Sequence, residues 1–279
     1  MLKNIFRKIG FGFKKPFRYA ERKLYGRRKL QRLYHWMYKE SLRGMNYGGG
    51  GVYEESGERN ALLYVKKSLA TEKQPLTLFD VGANVGGYTE GLIEYMKPFE
   101  MQIHCFEPSR ETFQKLSENF SKSPTVKLNK FGIGDVHTHL KLYSTPLHNG
   151  LASVFKRNLD QYHMELNVEE EIEIKTIDGY CLENKVSQIH LLKMDIEGNE
   201  LNALKGAQGM IDRGAIHFIQ FEFGGCNLDS RTYFRDFYYF LSPTFNIYRI
   251  LVDGLFPITQ YSELLEIFST TNFLAERKT

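Results

Sequence analysis

Asp80 sits near the end of an apolar run, Leu76, Leu78, Phe79 and Val81, and is followed at every second place by Gly82, Asn84 and Gly86 in the stretch LFDVGANVGGYTE. Leu92, Ile93 and Met96 follow at helix-compatible spacing, so the segment is expected to be strand, tight turn and helix. In an open α/β sheet the crevice beside such a turn is where ligands sit. A dinucleotide fingerprint would need G-x-G-x-x-G, so that backbone can approach a pyrophosphate at a helix N-terminus. Here Asn84 takes the second glycine's place, and Asp80 would repel a pyrophosphate in a partly buried crevice. The turn suits a ligand that carries positive charge.

S-adenosyl-L-methionine has that chemistry: a sulfonium, an ammonium, a carboxylate that backbone N–H groups can hold, and a ribose diol. A second acid should then close the next strand, because a carboxylate takes two ribose hydroxyls at once. Glu107 meets this requirement in HCFEP, twenty-five residues beyond Gly82.

With these residues in view, the ordered motifs DVGANVGGYT, FEP, GIGD at 132–135, LLKMDIEGNE at 191–200 and FIQFEF at 218–223 resemble those of the FkbM family of S-adenosylmethionine-dependent methyltransferases. The resemblance runs from about Glu58 to the C-terminus. It implies an α/β, Rossmann-like class I methyltransferase sandwich: a seven-stranded, mostly parallel sheet with helices on both faces and the last strand antiparallel. Family members mainly methylate hydroxyls, often on sugars, glycolipids or polyketide-derived products, so a sugar, glycan or glycolipid acceptor is implied. Carried over by position, Asp80, Gly82, Asn84 and Gly86 match the cofactor loop and Glu107 the ribose acid, with Pro108 beside the adenine. Gly134 and Asp135 fall after the third strand, where the adenine edge is read. Tyr88 and Thr89 match the pattern too, or simply start the helix.

Methyl transfer to an alcohol is an in-line displacement in which the hydroxyl proton must leave to a nearby base. Asp195 ends the fourth strand, Glu197 lies two residues on and Glu222 nears the end of the fifth, so three carboxylates are expected at one sheet edge as the catalytic set. Close together, they would raise one pKa or hold a divalent cation. Oxygen ligands suit Mg²⁺, although no ligand spacing demands a metal. Helix capping and salt bridges remain the alternative for Glu197 and Glu222. Among the histidines, His104, His190 and His217 fall inside strand patterns and are expected to be structural, whereas His148 and His163, in a long polar loop, are the alternative bases. The loop also carries Asn149 and Ser153 of NGLASVF. The aromatic stretch YFRDFYYF, 233–240, could stack on a sugar but has the spacing of a packed helix.

The elements that must position these groups alternate. Helices are expected over 61–69, 89–96, 111–120 and 200–211, with strands over 77–81, 102–106, 126–131, 190–194 and 216–223. Strands over 138–143 and 171–176 alternate polar and apolar residues, as an antiparallel hairpin does, and 144–170 between them is long enough for a binding loop or lid. Residues 246–251 and 272–275 make a final strand pair. The methyltransferase domain is placed at 52–279, after the GGGG of 48–51.

Residues 1–47 form a separate basic extension. They hold fourteen Lys or Arg against Glu21 and Glu40, a net +12, which leaves −8 for the remainder of a chain whose total is +4. Leu2, Ile5, Phe6 and Ile9, and again Leu30, Leu33, Tyr34 and Met37, recur at helical spacing among the basic residues. Either the second helix packs on the domain and the charges are solvated, or residues 1–40 contact anionic membrane peripherally. Nucleic acid is the weaker partner, because methylation of a base nitrogen usually employs a D/N-P-P-Y/F turn where this chain has DIEG. A methyltransferase of RNA or of another small molecule, and a non-catalytic module of the same fold, are the alternatives; intact Asp80, Glu107 and Asp195 argue against the latter. Three scattered cysteines without a CxxC pair argue against a disulfide framework or structural zinc. No run approaches the roughly 18 apolar residues of a membrane span. A cytoplasmic protein, peripheral at most to the inner membrane face, is therefore expected; the sequence leaves oligomeric state open.

Overall fold

The computed structural model describes residues 24–49, 56–145 and 149–278. The first amphipathic stretch, Leu2–Ile9, and His148 lie outside them. The chain divides into two compact units, Met1–Met45 and Asn46–Thr279. In the first, Gln31–Gly44 is an α-helix (α1) with no buried residue.

The second unit is built on an eight-stranded sheet. Its parallel half comprises β1 (Leu76–Val81), β2 (Met101–Phe106), β3 (Val126–Asn129), β7 (Ile189–Met194) and β8 (Ile216–Phe223). Strands β9 (Phe245–Leu251), β10 (Gly254–Ile258) and β11 (Thr271–Arg277) complete it in the order β10, β9, β11, β8, β7, β1, β2, β3. Pairing is parallel from β3 to β8 and antiparallel at β8–β11, β11–β9 and β9–β10. The expected count of seven is thus exceeded by one: β10 turns back along β9 as an edge strand. It carries Pro257, which cannot donate to a ladder and is tolerated at an edge.

Helices α2 (Glu58–Ser68), α3 (Gly87–Tyr95), α4 (Arg110–Phe120) and α5 (Ile177–Glu183) flank the sheet, with α6 (Glu200–Lys205) and α7 (Gln208–Asp212) replacing the single helix expected over 200–211. Beyond β8 come α8 (Cys226–Ser230) and α9 (Phe234–Leu241). Helix α9 buries Phe234, Phe237 and Leu241, with Phe237 stacked 5.0 Å from Phe221, so these residues of the aromatic stretch are core, whereas Tyr233 and Tyr239 are exposed. A second sheet of three strands, β4 (Gly132–Ile133), β6 (Val168–Lys175) and β5 (Thr138–Ser144), contains the expected antiparallel hairpin. Leu142, Ile172 and Ile174 form its own small core.

One row of the main sheet breaks the apolar rule. Successive strand residues point to opposite faces, so Leu76, Leu78 and Asp80 share a face, and Leu76 and Leu78 belong to the core that packs on α2 and α3. Leu78 pairs in register with Leu191, and Leu191 with Phe218, all apolar. Two residues further along, the row is Asp80, Lys193 and Gln220, all buried. Helix α3 above supplies donors to two of its acceptors: Thr89 donates to Asp80 Oδ2 at 2.7 Å, and Tyr88 donates to Gln220 Oε1 at 2.8 Å. Gln220 in turn donates to Glu58 Oε1 at 2.7 Å. Tyr88 and Thr89 therefore do more than start α3.

Candidate active site

The cleft opens where β1, β2 and β7 end, as expected for an open α/β sheet. Gly82 makes the first turn workable. Its φ is +79°, and a Cβ there would come 1.9 Å from the carbonyl oxygen of Asp195, so the ends of β1 and β7 can abut only through glycine. Asn84 also takes a positive φ, +50°, which Asn tolerates better than most residues. Its backbone N–H donates to Glu107 Oε2 at 3.1 Å, while that of Ser109 donates to Oε1 at 2.9 Å. Glu107 thus ties the β1 turn to the loop after β2.

Burial pushes the Glu107 carboxyl up to about 7, against the pull of these two N–H donors and with some help from the charge of Asp80. Each Glu107 oxygen keeps acceptor capacity beyond its one backbone donor, which is what a vicinal diol requires. Pro108, Gly132 and Ile133 line the same wall.

Other residues singled out in the sequence stand elsewhere. Asp80 is fully buried and does not line the cleft; the positive charge it faces is Lys193 of its own chain, 3.5 Å away. Gly86 lies against the Phe120 ring, outside the cleft wall. Gly134 backs onto Ile174 and Asp135 is exposed, so the wall is formed by Gly132 and Ile133, just before them. His163 is exposed and off the cleft, and His104 and His190 are buried, bonded to Tyr180 and to the Thr77 backbone.

The three acids do meet. Asp195, Glu197 and Glu222 each place a carboxylate oxygen within 4.8 Å of the others. The turn carrying the first two is shaped by Glu200, whose buried carboxylate accepts from the backbone of Ile196 and Gly198 and lets Glu197 hold a φ of +52°. Their environments differ. Burial and the charges of Asp195 and Glu197 raise Glu222 well above the usual carboxylate range, and burial with the Asp195 charge pushes Glu197 up to about 8 against Arg157. Asp195 is the open one, its side chain 41% exposed against 14% for Glu197.

Two cations that sequence reasoning missed balance the set. Lys193 is held 3.6 Å from Asp195 and 3.5 Å from Asp80. Burial alone would lower its pKa, but Asp195, Asp80, Glu58 and Glu222 together hold it above the ordinary lysine value. Its signal was present: a lone ammonium inside the apolar run IHLLKM needs carboxylate partners. Arg157 had no such signal. It reaches from the loop between β5 and β6 to bond the Glu197 carboxylate and stands 3.7 Å from Asp229 on α8. Ser153 of the same loop donates to the Glu197 carbonyl at 2.7 Å and pairs with Tyr143, so Gly150, Ala152 and Val154 form a wall of the cleft.

A mostly parallel sheet with this strand order, a glycine turn and a buried acid at its carboxyl edge, and helices on both faces define a class I methyltransferase. The methyltransferase FkbM domain matches residues 80–249, and the chain belongs to that family. The hexuronic acid methyltransferase AglP of Haloferax volcanii is 30% identical over 146 residues, covering 51% of this chain and 53% of that protein. The 2-O-methyltransferase NoeI of Sinorhizobium fredii is 22% identical over 159 residues, 54% of this chain and 65% of that protein. The chain thus spans about half to two thirds of the length of these relatives. A crystal structure of methyltransferase FkbM from Methylobacillus flagellatus aligns with a TM-score of 0.45 at 19% identity, over 72% of this chain and 43% of that one.

A first prediction concerns Glu107. Glu107→Ala is expected to weaken S-adenosylmethionine binding by about 1.5–3 kcal/mol, the scale of a hydrogen bond to a charged group. Asn84→Gly should change it little, because the bond uses backbone N–H and glycine accepts the positive φ. With the free carboxyl near pH 7, wild-type affinity should fall as pH drops through about 7, when a proton competes with the diol, and Glu107→Gln should flatten that profile. Calorimetric titration across pH measures both; an unchanged affinity for the alanine variant would remove Glu107 from the cofactor site.

Proposed function

We propose that this chain transfers a methyl group from S-adenosylmethionine to a hydroxyl oxygen of a sugar, glycan or glycolipid. The observation that carries this reading is the open carboxylate of Asp195, set against the Gly82 turn and backed by Lys193. The cofactor would supply an electrophilic methyl on a sulfonium, leaving as a neutral thioether once the new C–O bond forms. Glu107 and the backbone of the Gly82–Asn84 turn would hold it, since that carboxylate lines the cleft and the turn leaves no room for a Cβ at its first position.

Asp195 accepts or orients the acceptor O–H, so the hydroxyl proton has a place to go as the oxygen attacks. Lys193 holds the resulting carboxyl and its neighbours in place without lining the cleft. Glu197, fixed by Arg157 and Ser153, forms part of the same cleft wall. The names of AglP, a hexuronic acid methyltransferase, and NoeI, a 2-O-methyltransferase, support an oxygen acceptor on a sugar.

A divalent ion such as Mg²⁺ fits the three carboxylates by ligand type, but would compete with Arg157 for Glu197 and with Lys193 for Asp195. The test is transfer of a labelled methyl group from S-adenosylmethionine to a glycan extract, followed by hydrolysis to identify O-methyl sugars. Label on protein, nucleic acid or a carboxylate instead would overturn the acceptor class. A chelator in the same assay is expected to leave turnover intact, and its abolition would assign the acid cluster to a metal.

A further inference from the structure

We infer that helix α1, Gln31–Gly44, lies on an anionic lipid surface with its apolar face in the interface. The helix is long enough to present two distinct sides. At 100° per residue, Leu33, Tyr34, Met37, Tyr38 and Leu42 fall on one half of its circumference. Arg32, Lys39 and Arg43 fall within a narrow sector on the other half. Leu33, Met37 and Tyr38 are each about half exposed, and no residue of α1 is buried. The one intrahelical ion pair, Arg43 with Glu40 at 3.3 Å, is itself exposed.

Charge complementarity selects the occupant. The extension carries a net +12 on a chain whose remainder is −8, and α1 itself holds three of its fourteen basic residues, Arg32, Lys39 and Arg43, against one acid, Glu40. Basic residues on the polar side of a flat-lying helix sit at the level of acidic headgroups, each adding about 1 kcal/mol to the attraction, while aliphatic and aromatic residues enter the acyl boundary. Trp36, 59% exposed, lies at the border between the basic sector and Leu33, the position interfacial tryptophans prefer. A nucleic acid would use the basic sector but leave the exposed Leu33, Met37 and Tyr38 without a role, and for that reason lipid is favoured. No helix among the described residues is long and apolar enough to cross a membrane, so the attachment is superficial.

The chain contains a single tryptophan, which makes Trp36 a native probe of this contact. Full-length protein is titrated with phosphatidylcholine vesicles, with and without phosphatidylglycerol, while Trp36 emission and co-sedimentation are followed. Emission should move to shorter wavelength, and protein should pellet, only with the acidic vesicles and less at high salt. Reversing Arg32, Lys39 and Arg43 to Glu should lower partitioning by roughly a hundredfold or more, from about fivefold for each charge.

Leu33→Glu with Met37→Glu should abolish the emission shift while cofactor affinity, a property of the other unit, stays unchanged. No shift with acidic vesicles, or equal pelleting with neutral ones, would overturn the inference. Retention of an RNA oligonucleotide without any vesicle binding would assign the basic sector to nucleic acid. Loss of thermal stability or a changed oligomeric state in the Leu33/Met37 variant, again without vesicle binding, would show that protein covers this face. None of these outcomes depends on the acceptor, which the labelled-methyl assay tests separately.

Discussion

Asp195→Asn is expected to leave S-adenosylmethionine affinity near that of the wild type and to lower turnover by roughly 10²-fold or more, the usual scale for removing a general base. The replacement is nearly isosteric and preserves the backbone bond from Asp195 to Val81, so the Gly82 turn should keep its shape. Glu197 and Glu222 are expected to compensate little. One is tied to Arg157 and the other is 8% exposed, whereas Asp195 presents the accessible oxygen. Single-turnover transfer alongside calorimetric titration separates the two effects. Full turnover in the variant would move the base elsewhere, and parallel loss of binding would make Asp195 a cofactor residue.

The second large effect should come from Lys193→Met. Its ammonium is the only cation within 4 Å of Asp80 among the described residues, and removing one partner of a buried pair typically costs about 3–5 kcal/mol because the other charge is left uncompensated. Unfolding in urea should therefore shift to clearly lower denaturant. Adding Asp80→Asn to the same chain should recover part of the loss, since the Thr89 hydroxyl can still bond to the amide oxygen. A fully additive double variant would mean that Asp80 and Lys193 do not depend on each other. A single variant as stable as wild type would show the row to be neutral before the substitution.

Much of this arrangement is legible in the order of the amino acids alone. The apolar runs and the glycine turn define β1 and α3, the acid of HCFEP defines the end of β2, and DIEG with FEF brings the three carboxylates to one edge. What escapes is orientation. Asp80 is close enough to the glycines to be expected in the cleft, yet strand alternation puts it on the side of Leu76 and Leu78, beneath Thr89. Gly134 and Asp135 likewise have the right neighbourhood but stand just past the wall, because β4 is short and lies in the second sheet. Arg157 is out of reach for a different reason. Its partners Glu197 and Asp229 are 40 and 72 residues away, and nothing local in KRNLD marks a long-range bond. Strand β10, with a proline and an exposed Phe256, has none of the patterning of a central strand.

The contact between the Gly82 position and the Asp195 carbonyl has a consequence for how such a site can change over time. A side chain gained at 82 would push on the Asp195 backbone, so on the proposed roles the cofactor turn and the base share one mechanical coordinate. Substitutions at neighbouring positions of this kind do not add. On the proposed role of Asp195, a change at 82 is expected to lower turnover until position 195 compensates. The more accessible route to new acceptors runs through the loop after β5, where Ser153 and Arg157 contact the Glu197 turn from outside and leave the Gly82 seam untouched.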